Sequence, residues 1–134
     1  MGRPSSAVRE YCERRGFSRF VCNGGIDYLL LRWSRIVAHV EEGYRGLIEE
    51  YVNDMDARRI ISELLPIASD GERARVEAVI PALDERFLEV TVPVDSCIWG
   101  AKAAADYGYR PDHDWWYYRV PIDLSRASGF DRRP

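Results

Sequence analysis

Ile26, Leu29, Leu30, Trp33, Val37 and Val40 recur at three- and four-residue steps. That spacing gathers them on one face and predicts a helix over 26–42, with Gly43 placed to end it. Arg32, Arg35, His39 and Glu42 fall off the stripe, as the solvated side requires. A second apolar stripe follows at Leu47, Ile48, Tyr51, Val52 and Met55. Its phase is lost at Asn53 and Asp54, and Arg58 and Arg59 stand where the next apolar pair is due. The pattern predicts a break there, with Asn53 or Asp54 capping a new helix that carries Ile60, Ile61, Leu64 and Leu65.

The remaining elements are read from punctuation as much as from period. Residues 6–15 form a short helix between a serine cap (Ser5 or Ser6) and Gly16. Phe17 to Cys22 is a brief apolar stretch, and Asn23-Gly24-Gly25 reads as a turn. Pro66 stops the helix before it, and Ser69 or Asp70 opens the next. That helix carries Val76, Val79, Ile80, Leu83 and Phe87 in one phase across Pro81, which predicts one kinked helix and not two. It runs to about 90, and an extended segment follows in which Pro93 allows only an edge strand or a linker. Asp95 or Ser96 then caps an alanine-rich helix from Cys97 to about Asp106, closed by Gly108.

These elements define a mainly α fold: a compact bundle of five or six helices with an extended aromatic C-terminal segment packed across it. The 134 residues are read as a single domain, with about 122–134 a frayed tail. No apolar run is long enough for a bilayer and the first residues lack an apolar leader, so a cytoplasmic protein with no membrane contact is expected. Three cysteines in an odd, wide arrangement (Cys12, Cys22, Cys97) point to free thiols in a reducing compartment.

Charge changes the picture in one place. The net charge is −3, but the first forty residues hold seven arginines against three acids. Arg14, Arg15, Arg19, Arg32 and Arg35, with Phe17 and Phe20 between them, allow a nucleic-acid reading. The negative whole-chain charge and the alternation of Arg9 to Arg15 with Glu10 and Glu13 oppose it, as a solvated helix face would alternate in this way.

Catalytic and metal signals are sparse. His39 and His113 lack the HExxH and ExxH spacings. Asp112-His113-Asp114 offers three consecutive ligand types, but neighbouring side chains on extended backbone diverge. Cys97 at a helix start is the one nucleophile candidate with a physical argument, with His39 or His113 as its base and Asp95, Asp112 or Asp114 as orienter. A buried cysteine beside Ile98 and Trp99 is the simpler account. Glu49, Glu50, Asp54 and Asp56 read as charges that cap and complement helix starts. No cofactor is expected.

Trp115-Trp116-Tyr117-Tyr118 is the most unusual run in the chain. On extended backbone alternate rings face opposite sides, so one pair packs on the bundle and the other needs a groove, a ligand or a partner. Aromatic residues and arginine dominate protein interfaces, and Arg110 and Arg119 flank the run. The expectation is a non-enzymatic interaction or regulatory domain that binds a protein partner or itself as a homodimer, through Arg110, Trp115, Trp116, Tyr117, Tyr118 and Arg119. The alternative is a small enzyme or ligand-binding protein with a pocket near Cys97 and His113.

Overall fold

The computed structural model describes residues 3–125. Helix α1 (Ser6–Arg15) starts at Ser5, whose hydroxyl accepts from the Val8 amide, and closes at Gly16 in the left-handed region (φ 73°). Helix α2 (Arg19–Glu41) starts about two turns earlier than the apolar stripe suggests, with Ser18 as its cap. The Asn23-Gly24-Gly25 turn is a kink within this helix. Gly25 alone leaves helical geometry, at φ 57° and ψ −141°. A Cβ there would approach the Pro4 ring carbon to 2.7 Å, so the position is closed to side chains on both conformational and steric grounds.

Helix α3 (Ile48–Leu64) is continuous, which corrects the break expected at Asn53 and Asp54. The polar residues that interrupt its stripe are paired in space and not used as caps. Asp54 accepts from the Tyr44 hydroxyl at 2.7 Å and from Arg32 at 3.1 Å. Arg58 is buried and meets Asp84 through Nε and Nη2 at 3.0 and 2.8 Å. Leu65–Ile67 add a 3-10 turn around Pro66 before α4 (Asp70–Glu89) begins at Ser69. Helix α4 runs through Pro81, as the unbroken phase requires, and buries Val76, Ile80, Leu83 and Phe87 while Val79 stays exposed.

Glu72 closes the starts of two helices at once. Its carboxylate accepts from the Ser69 amide at 2.8 Å in a capping box, and from the Ser5 amide and hydroxyl at 3.0 and 2.7 Å. Burial opposes its charge, but these hydrogen bonds outweigh burial and hold its pKa below the ordinary value.

The extended segment after α4 is strand β1 (Thr91–Pro93), paired antiparallel with β2 (Arg119–Pro121) in the register Thr91 to Pro121. Each strand ends in proline, which limits the sheet to this pair. Between the strands lie α5 (Ala101–Tyr107) and the aromatic run; a last helical turn, α6 (Ile122–Ser125), follows β2. Of the tail expected from about 122, residues 122–125 form this turn and the remainder lies outside the described residues. Helix α5 starts at Gly100 and not at Cys97, because residues 95–100 form a turn tied to the aromatic run by the Ile98 amide on the Tyr117 carbonyl at 2.8 Å.

Helix α2 packs on α4, α3 and α1, and Trp33, Val37, Tyr51, Met55, Ile61, Leu64 and Phe87 fill the space between them with no exposed surface. The fold is mainly α and compact, with the aromatic segment laid across α3. Within that segment Trp115–Tyr118 coil into one 3-10 turn. At about three residues per turn the rings point in three directions, not two. Trp116, Tyr117 and Tyr118 are buried as a result, and Trp115 is partly so. Arg58 holds the turn from below: its guanidinium lies 4.9 Å from the Trp116 ring and 5.7 Å from Trp115 while it pairs with Asp84.

Candidate functional site

The residues singled out in the sequence do not assemble into one site. His39 stacks on Tyr44 at 4.4 Å and accepts from the Arg45 amide through Nε2. Cys97 is buried in the turn before α5, and burial pushes its thiol pKa up, the reverse of what a helix start would do. No hydrogen bond joins it to His39 or His113 among the described residues. His113 Nδ1 meets Asp114 at 3.1 Å, and Asp114 accepts the Arg110 amide at the same distance. Asp112 pairs with the Arg110 guanidinium at 3.2 Å. Among the described residues no group of three or more His, Cys, Asp or Glu side chains is arranged to hold a metal.

The aromatic surface expected at Arg110 to Arg119 is largely spent inside the fold. Trp116, Tyr117 and Tyr118 are core, and Tyr118 donates to the Tyr109 carbonyl at 2.8 Å. Arg119 caps the end of α4 and β1, donating to Leu88 and Thr91 carbonyls and the Thr91 hydroxyl. A shallow depression of about 310 Å³ over Trp115 and Tyr118, beside Pro93 and Arg119, is open there.

A larger cleft, about 550 Å³, opens where the end of α1, the middle of α3 and α5 converge. Its walls are Arg15, Asp56, Arg59, Trp99, Tyr107 and Tyr109. The continuity of α3 creates it: Asp56, Arg59 and Glu63 are three and seven residues apart, so all project from one face. Gly100 and Gly108, both at positive φ, bracket the short α5 and set Trp99 and Tyr107 on the opposite wall. Tyr107 is 73% exposed and Trp99 is 38% exposed, so the aromatic wall faces open solvent.

Charge is unevenly satisfied in the cleft. Glu63 accepts from the Tyr11 hydroxyl, from Arg15 at 2.6 and 3.2 Å, and from Arg59 at 2.5 Å. Burial works against the Glu63 charge, but the hydrogen bonds of Arg15 and Tyr11 and the charges of Arg59 and Arg15 bring its pKa down to about 2. Asp56 goes the other way. Burial raises its pKa, only partly offset by hydrogen bonds from Tyr117 at 2.5 Å and Trp99 at 3.2 Å and by the Arg59 charge. Arg59 Nε is buried and has no acceptor. A desolvated carboxyl and a guanidinium with one unmet donor thus belong to the wall of one cleft.

Sequence reasoning missed this cleft because Asp56 reads as a charge that complements a helix start and Arg59 as a charge where an apolar residue is due. The available signal was the spacing of 56, 59 and 63, visible only once the helix is taken as unbroken. Arg15, grouped with the basic residues as a phosphate contact, is instead paired with Glu63, and Arg32 with Asp54. Comparisons of the chain with protein-family models, with curated proteins and with solved structures found no match.

Proposed function

We propose that this chain is a small binding domain that holds a polar organic ligand in the cleft between α1, α3 and α5, without transforming it. The observation that carries the proposal is the pairing, in one concave site, of the desolvated Asp56 carboxyl with the acceptorless Arg59 Nε beneath exposed aromatic walls. A volume of about 550 Å³ falls within the range that small-molecule sites occupy, and a few convergent polar groups on aromatic walls are their usual lining.

A thermal-shift screen of metabolite-sized acids, bases, zwitterions and neutral compounds tests it. Stabilising compounds are expected, and their effect should disappear in Tyr107→Ala, a substitution at a side chain exposed enough to leave the fold intact. A screen without stabilising compounds, or with compounds indifferent to Tyr107→Ala, refutes the proposal.

Protein–protein contact is the second reading, supported by the exposure of Phe20 (69%), Leu47 (68%) and Tyr107. Light scattering over a concentration series tests its homodimeric form, in which the mass would rise to twice that of the chain.

A further inference from the structure

The polar groups of the cleft leave two demands of opposite sign unmet. Asp56 takes both of its hydrogen bonds, from Tyr117 and from Trp99, on Oδ1. Among the described residues no donor reaches its Oδ2. Arg59 donates through Nη1 to Glu63, and its Nε finds no acceptor. Arg15 and Arg58 each present Nε and Nη2 side by side to a carboxylate, Glu63 and Asp84 respectively. The corresponding nitrogens of Arg59 have no acceptor among the described residues. Nε itself has no accessible surface, but the side chain keeps 25% of its surface exposed and forms part of the cleft wall, so a ligand meets the guanidinium at its exposed part. A carboxylate there makes a charge-assisted hydrogen bond.

Spacing and charge balance then narrow the ligand. Asp56 and Arg59 are three residues apart on α3, so their Cβ atoms are about 5–6 Å apart. One carbon bearing an ammonium and a carboxylate presents opposite charges to two groups that share one wall of the cleft. With Asp56 ionised, Arg15 and Arg59 balance Asp56 and Glu63, so a net-charged ligand would upset the cleft and a zwitterion would not. The Trp99, Tyr107 and Tyr109 rings offer faces to a flat or apolar side chain.

We infer that the ligand is a free α-amino acid with a planar or apolar side chain, its ammonium on Asp56 Oδ2 and its carboxylate on the exposed part of the Arg59 guanidinium. This inference rests on the cleft being a ligand site, as proposed above. The desolvation of Asp56 agrees with it, because an arriving ammonium supplies the counter-charge that burial has removed.

Calorimetric titration of the full chain with L-phenylalanine, L-tryptophan and L-leucine tests the assignment, with 3-phenylpropionate and phenethylamine as comparators that each keep one charge. At least one amino acid should bind, and the two comparators should bind about tenfold or more weakly than L-phenylalanine or not at all. Asp56→Asn should abolish the preference over 3-phenylpropionate, and Arg59→Gln the preference over phenethylamine. The comparator series on the unaltered protein decides the matter even if a variant fails to fold. A comparator that matches L-phenylalanine overturns the amino-acid assignment but leaves the cleft a ligand site, provided its binding is lost in Tyr107→Ala. Failure of all five probes overturns the assignment, and the broader screen then decides separately whether the cleft binds anything.

Discussion

Glu63 is the anchor on which the cleft's two arginines turn, and replacing it by glutamine yields a prediction with both a size and a pH signature. In the folded chain its pKa drops from an ordinary 4.5 to about 2, because Arg15, Tyr11 and Arg59 together overcome the cost of burial. A shift of that size corresponds to about 3 kcal/mol of linked stability. The Arg15 side chain is 42% exposed, and solvent screening reduces the usable part to about 2 kcal/mol. Glutamine keeps an acceptor oxygen for the same donors but has no charge to lose. At neutral pH Glu63→Gln should therefore lower the melting temperature by about 6–8 °C for a domain of this size.

The sign with pH is fixed by the direction of the shift. A carboxyl whose folded pKa lies below its unfolded value stabilises fully above the unfolded value, and the benefit drains away as pH falls toward the folded one. The gap between the two proteins should therefore narrow below about pH 5 and lose more than half its size by about pH 3. Scanning calorimetry at steps from pH 7 to pH 3 measures it. Equal melting temperatures at pH 7, or a gap of constant size across the series, would refute the reasoning.

Other expectations follow from the same contacts. Arg58→Leu leaves the Asp84 carboxylate without its buried partner and strips the cation from beneath Trp116, so urea denaturation should show a loss of about 3–5 kcal/mol. Trp116→Ala with Tyr118→Ala removes core, not surface; helical circular dichroism should weaken and the melting temperature drop sharply, whereas an intact spectrum would return these rings to the interface expected from the sequence. All three cysteines are buried, with Cys97 raised and Cys12 pushed up to about 11 by burial, so a thiol reagent at pH 8 should react slowly with the folded chain and fast after denaturation. A single fast-reacting thiol at Cys97 would revive the catalytic reading.

What the sequence disclosed is what local spacing encodes. The stripe from Ile26 to Val40, the Gly16 stop, the Ser69 start and the phase that survives Pro81 all depend on neighbours within a turn or two, and the structure follows them. The errors share a cause. Arg58 in an apolar stripe looks like a broken helix unless Asp84, twenty-six residues away, is known to meet it. Asp56 looks like a charge that complements a helix start unless Tyr117 and Trp99 are known to reach it. The aromatic run was assigned extended geometry because four large rings in a row carry no local period, and its 3-10 turn is fixed by contacts with α3 and the 95–100 turn. The cleft was illegible for the same reason: apart from Arg59 with Glu63 on α3, its pairings are made between distant segments.

Glu63 also links stability to binding, in opposite senses. It occupies the Nε–Nη2 edge of Arg15 and one end of Arg59, the same guanidinium groups that a ligand carboxylate would seek. An unmet buried donor costs about 1–3 kcal/mol, and the fold carries that cost at Arg59 Nε while Arg58, one residue earlier on the same helix, gives both Nε and Nη2 to Asp84. Neutralising Glu63 weakens the fold but frees the two cations and gives the cleft a net positive charge. A lone carboxylate ligand gains more from that change than an amino acid does, because the ammonium of the latter meets the added positive charge. In Glu63→Gln, 3-phenylpropionate should therefore bind several-fold tighter than to the unaltered protein, and the preference for L-phenylalanine should shrink. Titration of both ligands into both proteins measures this, and a preference left unchanged while the protein is destabilised would show that Glu63 holds the helices together without shaping the site.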